Sequence, residues 1–281
     1  MACARRMRGM SRLVRTVRLA LSAAEEAQQA PANTAAGHPR WVDGASWVEI
    51  VVHVAAEPDA RTGFVADIRE LDELTRALAA RACAEARGAP SHAAALQAVA
   101  RGMAEALGER FLLAAMRPAP GLLLALERDD MTHALICQRF EFAAAHRLHS
   151  PALSEEENRA VFGLCNNPSG HGHNYWLEPV VRTPLREGAP ALSLAQLEQA
   201  TLETVVQRFD HKHLNVDCEE FRQHNPTVER IAQVCFELLA PAIEEASQGQ
   251  ARLECVRLWE TEKTCCVYPA MEGAAWAALT P

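Results

Sequence analysis

The sequence predicts an α+β chain in which one β-β-α-α-β-β unit is written twice. Three observations carry that prediction. Apolar residues alternate with period two in short runs and recur with helical spacing in longer ones. The two kinds of run follow the same order in both halves of the 281 residues. Turn residues, and Trp47 and Trp176 among the tryptophans, fall at matching places in the two halves. Strands, then helices, then strands point to an antiparallel sheet with both helices on one face.

In the second half, ICQRFEFAAAHRL (136–148) alternates, with Phe140, Phe142 and Ala144 on one face, and reads as a single strand. A polar stretch follows, in which Ser154 caps a short acidic helical turn. HNYWLEPVVRT (173–183) is the second strand, and Pro179 argues for an edge position or a bulge. Residues 192–209 form an amphipathic helix capped by Ser193. Residues 226–246 form another, which Pro241 interrupts or kinks. Two strands over 252–270, split at Glu262–Lys263, close the unit.

The first half repeats this order. Residues 15–23 and 46–56 read as strands, 62–82 as a helix capped by Asp67, 90–107 as a helix, and 121–130 as the strand matching CVRLWETEK. A repeat of domain size redefines the fold. It predicts a leader over 1–10, disordered or over-annotated, and two domains, 11–130 and 131–281.

Composition narrows the function classes. The net charge of −8 gives no nucleic-acid footprint, since the basic cluster lies at the extreme N-terminus. No apolar run reaches the ~18 residues of a membrane span. Nine cysteines, an odd number without a C-x-x-C pair, suggest a reduced, cytoplasmic protein.

The chemistry concentrates in CNNPSGHGHNY (165–175). Side chains alternate along a strand, so His171 and His173 point to one face and can converge on one metal. Catalytic zinc commonly takes three protein ligands and keeps one position open. His146, at the end of the preceding strand, is the candidate third ligand, and His149 competes with it. Glycines around the pair permit a tight approach. Cys165 reads as a fourth ligand, a base or a plain buried thiol, and works as a base only if its pKa falls. In FDHKHLN (209–215), Asp210 beside His211 suggests a carboxylate orienting an imidazole, or a solvated helix end. Glu260 in LWETEKT sits beside Trp259 and either binds an amidine-like edge or faces water.

Taken together, FEFAAAHRLHSPALSEEENRAVFGLCNNPSGHGHNY, DHKHLN, PTVERIA and WETEKT resemble the 6-pyruvoyltetrahydropterin synthase family, which also contains the 6-carboxytetrahydropterin synthases of queuosine biosynthesis. The resemblance runs over roughly 136–270 and implies the T-fold, whose β-β-α-α-β-β units assemble through their sheets into a ring-shaped barrel. It implies zinc on His146, His171 and His173. Cys165 would be the base, in a relay with Asp210 and His211. Glu260 would anchor a pterin, with Thr261, Thr227 and Glu229 lining the pocket. The implied substrate is a pterin triphosphate, 7,8-dihydroneopterin triphosphate. The implied assembly is a homo-oligomer, a trimer of tandem chains. The six-residue step from Cys165 to His171 follows the pyruvoyl-forming, tetrahydrobiopterin-pathway pattern. The carboxy-forming enzyme and a pterin-binding protein without turnover are the alternatives.

The first half departs from the pattern. On the repeat alignment His146 meets Glu25, His171 meets Val42 and His173 meets Gly44, and only Glu127 corresponds to a site residue, Glu260. This half is expected to bind no zinc and to complete the barrel as a degenerate repeat.

Overall fold

The computed structural model describes residues 10–21, 46–85 and 91–270. Glu25, Val42, Gly44 and the expected leader, Met10 apart, lie outside these residues. The described chain divides into two compact units. The first holds residues 10–136 and 183–191, the second 137–182 and 192–270. Among the described residues no helix is long and apolar enough to cross a membrane.

The first unit begins with β1 (Ser11–Leu21) and β2 (Ser46–Ala56), paired antiparallel from Ser11↔Ala56 to Leu21↔Ser46. Helices α1 (Ile68–Glu85) and α2 (His92–Leu107) follow. The expected helix over 62–82 starts later, because Asp67 Oδ1 accepts the Arg69 N–H at 2.8 Å and sets the start there. Strands β3 (Phe111–Ala119), β4 (Leu122–Glu127) and β5 (Asp130–Gln138) complete a meander in the order β1-β2-β3-β4-β5. The strand β3 was not expected, and it changes one correspondence. In element order β3 is the first strand after the helices, so Glu127, at the end of β4, does not stand where Glu260 stands.

The second unit opens with β6 (Phe140–His146). The expected single strand over 136–148 is therefore two, broken at Arg139. Alternation begins only at Phe140: Ile136 and Cys137 are both buried, and Gln138 and Arg139 are both half-buried. Arg139 turns its guanidinium onto Glu178 Oε1, 2.9 Å away, and lies 4.7 Å over the Trp176 ring. Helix α3 (Glu155–Phe162) is closed by a capping box between Ser154 and Glu157. The long strand β7 (His171–Arg186) pairs with β6 from Phe140↔Leu177 to His146↔His171. Pro179 lies beyond the end of that ladder and opposite Val256, next to an irregularity between Leu253 and Cys255. The last residues of β7 pair with β8 (Ala189–Pro190) in a short hairpin that lies within 183–191 and so belongs to the first unit.

Helix α4 (Leu194–Thr201), capped by Ser193, passes through a π turn at Leu202–Val206 and ends at Phe209. The two-residue strand β9 (Lys212–His213) runs parallel to β6. Helix α5 (Val228–Ala246) continues through Pro241 rather than stopping there. Strands β10 (Arg252–Thr261) and β11 (Thr264–Tyr268) then give the sheet order β9-β6-β7-β10-β11. Helix α5 packs on β10 and β11 and meets α4.

Phe142 stacks on Tyr175 with centroids 5.1 Å apart and tilts against Phe209 at 6.2 Å. All three rings are buried, and they back the strand ends that carry the histidines. Phe142→Ala should cost about 3–5 kcal/mol, the usual penalty for emptying a buried aromatic position. A drop in the urea midpoint with an unchanged slope would show it.

Candidate metal centre and active site

The register of β6 and β7 builds the centre. His146 lies directly across from His171, and His173 lies across from Ala144, so period two brings all three imidazoles to one face. One ring nitrogen from each lies within 4.8 Å of the others. His146 Nε2 stands 3.1 Å from His171 Nε2. His146 is fully buried, while His171 and His173 are half-buried.

The tautomer of His146 follows from its surroundings. Its Nδ1 is 2.7 Å from the Pro226 carbonyl oxygen, which only accepts, so Nδ1 carries the hydrogen and Nε2 offers a lone pair. The Tyr175 hydroxyl lies 3.5 Å from the same Nδ1. His171 Nδ1 and His173 Nε2 are buried with no hydrogen-bond partner. The free lone pair of His146 Nε2 and the unpartnered His173 Nε2 fit a bound cation, and an all-imidazole set suits zinc.

Burial pushes the His146 pKa down to about 4 and also lowers that of His171, so both stay neutral and able to ligate at neutral pH. His149, the competing candidate, is turned away: its Nδ1 lies 3.1 Å from Asn166 Nδ2 and 3.3 Å from Arg147 Nη2.

Glu260 borders the cluster at two of its three histidines. Its Oε1 lies 3.5 Å from His146 Nε2 and 3.7 Å from His173 Nε2. Cys165 follows α3 on a 3-10 turn, Gly163–Asn166, and its carbonyl accepts the Leu148 N–H at 2.8 Å. Burial raises the thiol's pKa, and the Glu260 charge adds to the rise. Gly170 permits the return into β7. Its φ is +73°, and a Cβ there would fall 2.7 Å from His213 Nε2.

Asp210 and His211 form a pair of their own. Asp210 Oδ1 accepts the Ala143 N–H at 2.8 Å, and its Oδ2 lies 2.7 Å from His211 Nδ1. The Ala143 bond is the main reason the Asp210 pKa is lowered. The His211 side chain is 83% exposed and opens on a groove of about 600 Å³ lined by Ala143, Gly172, Asn174, His211, Lys212 and His213. Among the described residues neither member of the pair bonds Cys165. Thr227 caps α5, accepting the Arg230 N–H at 3.4 Å, and directly follows the Pro226 that orients His146. Glu229 is exposed on the first turn of α5. Thr261 is exposed, and its Oγ1 accepts the Lys263 N–H in the β10–β11 turn.

Three participants escaped the sequence reading. Tyr175 could have been found, since it shares the alternating face of His171 and His173. His213 lay inside the motif that drew attention to Asp210 and His211. The Pro226 carbonyl left no signal, because a backbone acceptor has no residue signature.

The family model described as 6-pyruvoyl tetrahydropterin synthase matches residues 135–270. A Homo sapiens protein named 6-pyruvoyl tetrahydrobiopterin synthase is 37% identical over 139 residues, which is 48% of this chain and 90% of that protein. A Drosophila melanogaster protein of the same name is 45% identical over 100 residues, which is 35% of this chain and 60% of that protein, less than two thirds of its length. Across the whole chain, a uricase from Arthrobacter globiformis aligns over 95% of each chain at 8% identity with a TM-score of 0.50, a likeness of fold alone.

Two outcomes are expected. Between the ordinary histidine pKa of about 6.5 and the depressed value of about 4, the unfolded chain binds a proton at His146 that the folded chain refuses. Stability of the metal-free protein should therefore be complete above about pH 6.5 and fall by about 1–3 kcal/mol as pH drops toward 4. Urea midpoints at several pH values measure this. Gly170→Ala strains the turn at the strand that carries two of the histidines, and should lower bound zinc, read by elemental analysis, more than it lowers helix content.

Proposed function

The chain belongs to the 6-pyruvoyl tetrahydropterin synthase family, and from that premise we propose that it converts 7,8-dihydroneopterin triphosphate to 6-pyruvoyltetrahydropterin, eliminating triphosphate, with zinc on His146, His171 and His173. The observation that carries this reading is the convergence of three imidazoles beside Glu260, with the Cys165 thiol close enough to feel that carboxylate's charge.

Each residue has work suited to its surroundings. Zinc, when bound, supplies a Lewis acid that lowers the pKa of the substrate's side-chain hydroxyls. Glu260 accepts hydrogen bonds from the pterin's amino and ring N–H groups, and Thr227, Thr261 and Glu229 bound the same pocket. Cys165 takes a proton at Sγ. A nearby cation offsets the burial and carboxylate charge that otherwise keep the thiol protonated. Asp210 holds His211 by its Nδ1, leaving Nε2 to receive or return a proton. The exposure of His211 supports a relay completed between copies of the chain, with the pair from one copy serving Cys165 of another. That reading makes the working protein a homo-oligomer, and a trimer of tandem chains is the assembly proposed. The first unit has the order β-β-α-α-β-β before β5, which supports a degenerate second T-fold that builds the barrel without chemistry of its own.

The pyruvoyl product is favoured over the carboxy product by the six-residue Cys165–His171 step and by the names of the relatives. Mass spectrometry of products from zinc-loaded protein and 7,8-dihydroneopterin triphosphate tests the proposal. A 6-pyruvoyl product is expected, with Cys165→Ala reducing its rate by a factor of about 10² or more. A 6-carboxy product with acetaldehyde would move the chain to the other branch. Zinc and pterin binding without turnover would leave a binding protein.

A further inference from the structure

One contact inside the first unit serves as a template for a contact between copies of the chain. Residues 187–191 follow β7, yet they belong to the first unit, where β8 meets α2. The Ser91 hydroxyl caps α2 by accepting the Ala94 N–H at 3.1 Å, and it donates to the Gly188 carbonyl at 2.8 Å. Gly188 has a φ of +76°, and a Cβ on it would fall 2.9 Å from the Ala94 Cβ. Glycine is what lets this turn lie so close to the helix.

The first half carries a turn at the same place in its element order, between β2 and α1. Asp59 braces it: Oδ1 accepts the N–H groups of Arg61 and Thr62, and the backbone closes from Gly63 N to Asp59 O at 2.8 Å. Gly63 has a φ of +74°, close to that of Gly188, but a Cβ on it would meet nothing within 4 Å among the described residues. Phe64 is 58% exposed and Ile68 46%. With Leu13 and Val65 they line a pocket of about 430 Å³. The second half carries the matching cap. Thr227 starts α5 in PTVERIAQ as Ser91 starts α2 in PSHAAALQ. Its Oγ1 accepts the Arg230 N–H, and among the described residues its hydroxyl donates to none. Arg230, in the place of Ala94, turns Nη1 up the helix to Gln233 Oε1, 3.0 Å away, and so leaves the cap.

We propose that the 57–67 turn of one copy seats on the first turn of α5 in a second copy, as 187–191 seats on α2 within one chain. The turn of the second half takes the cap of the first. The turn of the first half and the cap of the second are the two surfaces left over, and they are the two parts of the same contact. Gly63 stays open in the chain itself, so the cap comes from another copy. A turn on one face and its receptor on another make a heterologous contact, which joins copies head to tail. Thr227 and Glu229 bound the pocket in the function proposed above, so the seated turn braces that wall. The bracing rests on that reading, and the docking does not.

Photocross-linking of the full chain, with Phe64 replaced by benzoylphenylalanine, tests the docking without zinc or pterin. Cross-linked material of twice the chain mass is expected, joining position 64 to residues 224–234. Links within one chain mass, links to another segment, or no links overturn the docking. Two variants measure its contribution. Gly63→Asn keeps a residue that tolerates the left-handed region but adds a side chain where the template has no room for one. Phe64→Asp removes the apolar anchor. Both lie on an exposed turn, so helix content by circular dichroism should not change. Each should weaken association of the chains about ten-fold or more in sedimentation. Unchanged association in both variants overturns the docking. Binding of unsubstituted pterin then tests the bracing. Binding to Gly63→Asn about ten-fold weaker than to the parent, with bound zinc unchanged, supports it. Equal binding overturns the bracing and leaves the docking. A parent protein that binds no pterin overturns the pterin reading and the bracing together, and the cross-links still decide the docking.

Discussion

The site depends on one register: His146 opposite His171 across β6 and β7. An antiparallel ladder fixes which residues face one another, and a slip by one residue would send His146 to the other face of the sheet from its partners. The buried pairs Phe142–Tyr175 and Phe140–Leu177 lie in the same ladder and resist that slip. Core packing and ligand placement are therefore one constraint. The strands are held in register by apolar burial, and the polar ends of the same strands inherit that alignment.

Orientation is a separate matter from placement, and the helices supply it. Pro226, just before the cap of α5, presents its carbonyl to His146 and decides which nitrogen is free. Asp210, just after the end of α4, is held by the Ala143 N–H and in turn holds His211. In both cases the segment that ends or starts a helix does the aligning. At Pro226 the aligning group is a backbone carbonyl that precedes the helix, and at Asp210 it is a side-chain carboxylate.

Much of this was legible in the sequence. The alternation of His171 and His173, the antiparallel position of His146, the caps at Ser154 and Ser193, and the split at Glu262–Lys263 all follow from local rules, and the structure has them. The losses have physical causes. Extending the alternation that starts at Phe140 back over 136–139, where two apolar residues precede two polar ones, reads one strand in place of two. FLLAAMRPA is apolar on both faces, and without alternation it does not announce a strand. Missing that strand moved Glu127 into a correspondence that element order does not support. Pro241 was expected to interrupt or kink its helix, and the helix runs on through it, with buried apolar residues on either side, Leu239 and Ile243 among them, to outweigh one lost bond. The approach of Glu260 to the imidazoles accompanies a register shift between Trp259 and Thr261 in the β10–β11 ladder, and such shifts leave little trace in composition.

The link from His146 to Pro226 ties a candidate metal ligand to the start of a nineteen-residue helix. Local opening in proteins tends to involve contiguous cooperative segments. When the first turn of α5 frays, the imidazole loses the acceptor that fixes its proton, and the donor atom facing the other two histidines is no longer defined. A metal held at one end of the sheet would therefore protect helix amides at Ile231 and beyond, and slow hydrogen exchange in α5 would report occupancy of a centre that contains no residue of that helix.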